Sequence, residues 1–247
     1  MRKARGRDRL QALSKLIRVV DGRRMIEDDP PLPVRVVDDE SRERIYEILQ
    51  MYKRSLQDDR SHLLDEYLFV DVTRKVVGIG SVGTRDFVVL LEGRDEDDPL
   101  FLQVKEAEAS VLESHLPKST YENRGQRVVA GQQLMQAASD IFLGWLRGRA
   151  GRDFYLRQLR DMKGSAKIER LSPDELALYA RICGWALARA HARSGDRVQI
   201  AAYLGKSERF DGAIADFAEA YADQTERDHA ALCAAVKSRK VPGDAGA

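Results

Sequence analysis

Between two runs of β-branched and apolar residues lies the string Gly78, Ile79, Gly80, Ser81, Val82, Gly83, a G-x-G-x-x-G pattern. The pattern alone is weak, and its flanks decide what it can build. A dinucleotide-binding fingerprint needs a strand before the loop and a helix opening directly after it, so that the pyrophosphate rests on the helix N-terminus. The preceding Val72, Thr73, Arg74, Lys75, Val76, Val77 fits a strand. The following Asp86, Phe87, Val88, Val89, Leu90, Leu91, Glu92 does not fit a helix; its β-branched and apolar content predicts a second strand. A turn through Gly93 to Pro99 then leads into a third run, Leu100, Phe101, Leu102, Gln103, Val104, Lys105. The local order is strand, glycine loop, strand, turn, strand ending in lysine.

That order is the one in which a kinase-type glycine loop covers ATP phosphates while a lysine on the third strand meets them. Glycine lets the backbone take positive φ and approach a phosphate closely, and successive N–H groups in such a loop form an anion-binding concavity. Ser81 and Thr84 add hydroxyls. Lys105 ends an apolar strand, where packing has no use for a lysine; strand alternation puts it on one face with Gln103, under the loop. The plain alternatives are a hairpin with permissive glycines and a snorkelling edge lysine. Loop, turn and lysine together favour phosphate binding. A kinase lysine is oriented by a glutamate from the next long helix. The helix expected over 124–138 has none, which leaves Gln126, Gln132, Gln133 or Gln136, or else Glu113 from a helix expected over 106–115.

Composition sets the frame. The 247 residues suffice for one large domain or two small ones. With 43% hydrophobic and 33% charged residues and a net charge of +1, the chain is of ordinary globular type, and overall charge singles out no partner. Residues 1–24 hold nine Lys or Arg against Asp8 and Asp21. With Leu10, Leu13, Ile17 and Val20 at near-helical spacing, this reads as a solvated amphipathic helix rather than a nucleic-acid arm; an arm would show strongly salt-dependent binding. Cys183 and Cys233 are far apart, and His62, His115, His191 and His229 are scattered, so neither a disulfide framework nor a metal site is expected. No apolar run has the length of a membrane span, and the basic N-terminus lacks the apolar core of a signal peptide. A reducing cytoplasm is the expected compartment.

Along the chain, three regions are expected: N-terminal helices and a linker over 1–67, a β-lobe over 68–165 and a helical lobe over 166–247. Asp28 to Pro33 breaks the first region. A helix follows with Ile45, Ile48, Leu49 and Tyr52 on one face, then a shorter one with Leu63, Leu64 and Tyr67. Strands are expected over 68–79, 86–92 and 100–105, and again at Ile141–Trp145 and Phe154–Leu159. Asp161, Met162, Lys163, Gly164, Ser165 then stands where a kinase hinge would offer its backbone to adenine, and reads equally as a plain strand-to-helix turn. Ser172, Pro173, Asp174, Glu175 is a strong helix start, with a Ser cap, Pro at the first helical position and Glu three residues on. That helix runs to near Gly195, and Asp211 is expected to cap another. What is missing is as telling. After His191 come Ser194, Gly195, Asp196, Arg197, with no catalytic-loop Asp, no metal-binding Asn and no Asp-Phe-Gly.

Five blocks, KVVGIGSVGT (75–84), LFLQVKEA (100–107), RVVAGQQLMQAASDIFLGW (127–145), FYLRQLRDMKGS (154–165) and CGWALARAHARSGD (183–196), in this order resemble the bacterial family called domain of unknown function 2252. The resemblance runs through most of 8–228. The family looks like a distant relative of the protein kinase and aminoglycoside phosphotransferase group. Its members are longer and carry a Gly-Asp-Ala-His…Asn-Phe-Gly block and an Asp-Phe-Asp block upstream, as a circularly permuted kinase-like fold would. Neither block stands in this sequence. The resemblance therefore implies the C-terminal half of such a protein, whether as a fragment, a mis-called start or a split protein.

The fold class expected is α+β: a kinase-like, five-stranded antiparallel β-lobe with a helix, followed by a mostly helical, incomplete C-lobe. The expected function is nucleotide binding without catalysis by this chain alone, the rival being a non-catalytic protein-interaction module on the same scaffold. Gly78, Gly80, Ser81, Gly83, Thr84, Lys105 and Met162 are the binding residues named, with no catalytic and no metal residue. ATP is the expected ligand, with Mg²⁺ only alongside the absent segment. The partners implied are that segment or a second copy, with no membrane and no nucleic acid. An incomplete lobe should leave Ile182, Trp185, Phe217 and Tyr221 uncovered, and Lys105→Ala should abolish nucleotide binding while the apo fold stays intact.

Overall fold

The structure, a computed structural model, describes residues 17–20, 23–26, 39–74, 83–95, 98–159 and 166–241. The linker at 28–33 and the segment 161–165 lie outside them. The chain divides into two compact units, Met1–Ser194 and Gly195–Ala247.

The first unit is built on an antiparallel five-stranded sheet. Its strands are β3 (Leu68–Arg74), β4 (Asp86–Glu92), β5 (Pro99–Ala107), β6 (Gly144–Arg147) and β7 (Asp153–Gln158), in the spatial order β3-β4-β5-β7-β6. β4 and β5 are nearly continuous apolar runs because both faces of the sheet are covered. On one face Val89, Leu91, Leu100, Leu102 and Leu156 pack with Tyr52 and Leu64, which come from α1 (Asp39–Lys53) and α2 (Asp58–Asp65). Tyr52 is fully buried and its hydroxyl donates to the Phe142 carbonyl. Burial, reinforced by the nearby Asp140 carboxylate, holds that hydroxyl protonated well above the usual tyrosine range. Ser55 Oγ donates to Tyr52 O at 2.7 Å and accepts from Trp145 N at 2.8 Å, tying the end of α1 to β6.

On the other face Val88, Leu90 and Phe101 pack with Ile26. Ile26 belongs to a two-stranded hairpin, β1 (Ile17–Val20) with β2 (Arg23–Ile26). A helix was expected through residue 20, and the described part of it is a strand. Ile17, Val19 and Val20 are β-branched, and the Asp21-Gly22 pair between the strands is the strongest short hairpin signal. A bulge between Phe69 and Asp71 turns Asp71 toward this face. Its carboxylate there accepts from Ile26 N at 2.8 Å.

The helix expected over 106–115 is also corrected. β5 continues to Ala107, and only a 3-10 turn, Val111–Ser114, follows. Ser110 and Glu113 form a capping box there, but Pro117 follows too soon for a helix to propagate. α3 (Arg124–Met135) does form, capped by Asn123, whose side chain accepts from Gln126 N. It docks so closely that a Cβ on Gly125 would lie 2.1 Å from the Phe154 carbonyl oxygen. Helix propensity alone would have Gly125→Ala stabilise by up to about 1 kcal/mol. The clash is with backbone, so α3 must shift off β7. We expect a net destabilisation of about 1–3 kcal/mol, read as a lower urea midpoint; a raised midpoint would show that α3 does not pack here.

α4 (Pro173–Ser194) begins at the predicted cap: Ser172 N donates to Glu175 Oε2 at 2.9 Å, and Glu175 N donates to Ser172 Oγ. No residue of α4 is buried; Ile182 and Trp185 are 55% and 60% exposed. The second unit holds α5 (Arg197–Leu204) and α6 (Arg209–Lys237). Asp196 caps α5, accepting from Val198 N and Gln199 N at 2.9 and 3.0 Å. Asp211, expected as a cap, sits instead in the first turn of α6. Phe217 and Tyr221 stack with ring centroids 5.5 Å apart, yet are 62% and 60% exposed. Among the described residues no helix is long and apolar enough to cross a membrane.

Candidate functional site

The flanks of the β3–β4 connection, Arg74 and Asp86, lie at the sheet end where β5 finishes, because Arg74 pairs with Phe87 and Asp86 with Lys105 in the ladder. Of the predicted binding residues, Gly78, Gly80, Ser81 and Met162 lie outside the described residues. Gly83 and Thr84 form the loop's exit. Gly83 has φ +89, and a Cβ there would touch nothing within 4 Å. Backbone conformation, not space, calls for glycine at this position. β4 starts at Asp86, only three residues on, so no helix opens after the glycines and the dinucleotide geometry is ruled out.

Lys105 and Asp86 stand directly opposite one another on β5 and β4. The ammonium is 3.1 Å from Asp86 Oδ2. The lysine side chain is 17% exposed and the aspartate only 2%. Asp86 Oδ2 makes no hydrogen bond, so the contact is an ion pair without hydrogen-bond geometry. Thr73 Oγ1, on the strand beyond Asp86, is likewise buried without a hydrogen bond. The ladder continues the Lys105 row through Tyr155 and Trp145. The adjacent row contains Gln103, whose Oε1 accepts from Arg157 Nε at 3.1 Å.

Asp86 is the residue that sequence reasoning missed. The Glu113 carboxylate accepts from the Ser110 N–H, and the carboxylate that meets Lys105 is that of Asp86. Asp86 opened a predicted strand, but cross-strand register fixes its partner, and register was not readable from the sequence. The pairing also corrects the expectation that Lys105→Ala leaves the apo fold intact, since alanine would strand a buried carboxylate.

One residue along β5, on the opposite face, Glu106 secures the loop's exit. Its Oε2 accepts from Arg85 N at 3.0 Å, and its own N–H donates to Arg85 O at 3.0 Å. Arg152 reaches Oε1 at 3.0 Å. Burial alone would raise the Glu106 pKa, but the Arg152 hydrogen bond, the Arg85 N–H and both positive charges outweigh it and hold the carboxyl below its usual range. A lowered folded value means that its stabilisation is complete above the ordinary glutamate range and is lost as pH falls through the folded value. Glu106→Gln should therefore flatten that acid limb of the stability curve; an unchanged acid limb would remove Glu106 from the account.

Chemically, the described part of the arrangement is a partly buried ammonium beside a buried carboxylate, next to the exit of a glycine-rich stretch of sequence. Among the described residues no group of three or more His, Cys, Asp or Glu is placed to hold a metal ion. Fold and site define a mixed α+β protein with a five-stranded antiparallel sheet and a lysine–aspartate pair at the foot of a glycine-rich loop. The chain belongs to the bacterial family described as "uncharacterized protein conserved in bacteria (DUF2252)", whose family model matches residues 1–235. No curated protein and no solved structure matches it.

Proposed function

We propose that the protein binds the phosphate groups of a nucleotide, ATP in the first instance, between the glycine-rich loop and Lys105. The observation that carries this reading is the Lys105–Asp86 pair. An ion pair with one partner almost fully buried adds little net stability compared with apolar residues of the same size, so stability alone does not account for this pair at the loop's exit. Asp86 would take the role that a helix glutamate plays in kinases, orienting the ammonium toward the loop. The chain order of three strands, a helix, two strands and then helices supports a kinase-like lobe. Phosphoryl transfer needs a catalytic carboxylate and metal ligands, which in this reading come with Mg²⁺ from another segment or chain. The free, exposed Cys183 and Cys233 suit a cytoplasmic setting.

One observation favours the second reading, a protein-interaction module. Ile182 and Trp185 on α4 and, in the other unit, Phe217 and Tyr221 on α6 are exposed, and exposed apolar surface commonly serves association.

Thermal unfolding tests the first reading. ATP at ten times its Kd should stabilise by about 1.4 kcal/mol, a Tm rise of roughly 3–6 °C for a chain of this size. The double variant Lys105→Met/Asp86→Asn removes both charges without stranding either, and should lose the rise. An equal rise in both proteins would place the nucleotide elsewhere, and no rise in either would favour the interaction module.

A further inference from the structure

A cavity of about 240 Å³ lies between α1 and the sheet, on the face away from Lys105. We infer that it is a binding site for a small apolar molecule, an aromatic ring or a short alkyl chain. Ile48 and Leu49 of α1 form one wall, and Val89, Val104, Phe154 and Leu156 of the sheet form the other. Apart from Gly148, every lining residue carries a hydrocarbon side chain. Protein interiors pack to crystal density and hold few voids larger than a water molecule. This cavity opens to solvent on one side, which gives a ligand a way in, and its apolar wall offers water no hydrogen-bond partner; a dry apolar cavity of about 150 Å³ already admits benzene.

The sequence keeps the space open. Val72, Val89 and Val104 stand on the three adjacent strands β3, β4 and β5, where leucine or phenylalanine would fill it. Gly148 contributes too, because a Cβ there would lie 2.9 Å from Phe154 Cε2 and drive that ring from its place in the wall. The same lining selects the occupant. A peptide would bring backbone N–H and C=O groups, and a charged or polar ligand its own donors, into a site that satisfies none of them. A small hydrocarbon surface loses nothing there and gains burial. The inference is independent of the phosphate reading.

The probe is toluene, followed by saturation-transfer NMR and thermal unfolding of the full chain. Wild type should transfer saturation to toluene and show a rise in Tm that saturates with toluene concentration. Val104→Phe, which fills the cavity, should unfold at the same or a higher temperature and lose at least ten-fold in toluene affinity. If Val104→Phe does not fold, Val89→Leu/Val104→Leu is read in the same way. Lys105→Met/Asp86→Asn should bind toluene as wild type does, which separates this site from the phosphate site. Absence of saturable binding to wild type, or undiminished affinity in a folded, filled variant, would overturn the inference.

Discussion

Leu102→Ala is expected to lower stability by about 3 kcal/mol, within the 2–5 kcal/mol range of buried Leu→Ala changes, whereas Leu187→Ala should change it by no more than about 0.5 kcal/mol. Leu102 is 0% exposed and sits on β5, with β4 on one side and β7 on the other. Neighbours held in a central strand cannot collapse into the space left behind. Leu187, on α4, is 61% exposed. In thermal unfolding the first change corresponds to a drop of roughly 6–12 °C. The contrast assigns the stabilising burial of the isolated chain to the sheet and its covering elements, not to the long helices. Comparable losses at the two positions would show that α4 is buried in solution, by a second copy or another partner.

The second large effect is at the site. Breaking a fully buried ion pair from one side costs about 3–5 kcal/mol, because the remaining charge is left uncompensated. Lys105 retains some solvent contact, so about 2–3 kcal/mol is expected for Lys105→Ala. Asp86→Asn should cost less, since the freed ammonium can turn to water while the aspartate cannot. Lys105→Met/Asp86→Asn should recover most of the loss, giving a clear coupling energy in a double-mutant cycle. Additive single effects would mean that the two side chains do not interact in the folded protein.

The sheet was legible because β4 and β5 are too rich in β-branched and apolar residues, and too short between turns, to be anything but strands. The capped start of α4 was legible because Ser172 and Glu175 satisfy each other locally. The N-terminal hairpin was not. Leu10, Leu13, Ile17 and Val20 fit a helical stripe, and that spacing outweighed the β-branched residues and the Asp21-Gly22 turn signal; packing of Ile26 on Val88 and Phe101 is what favours the strand pairing over the helix. The end of β5 was misread for a related reason: the acidic residues after Lys105 suggest a helix until Arg85 and Arg152 are seen to hold Glu106 in the strand. In the site, the glycines and Lys105 carry a recognisable pattern, but Asp86 is a cross-strand partner. Its place depends on the turn connecting β4 to β5, and nothing local in the sequence announces it.

The most direct test of the central claim is a calorimetric titration of ATP into the full chain at low ionic strength, in parallel with Lys105→Met/Asp86→Asn. The account predicts saturable one-site binding to wild type and at least a ten-fold weaker Kd, about 1.4 kcal/mol, in the double variant. Absence of saturable binding to the folded wild-type chain, or the same Kd in both proteins, would contradict it.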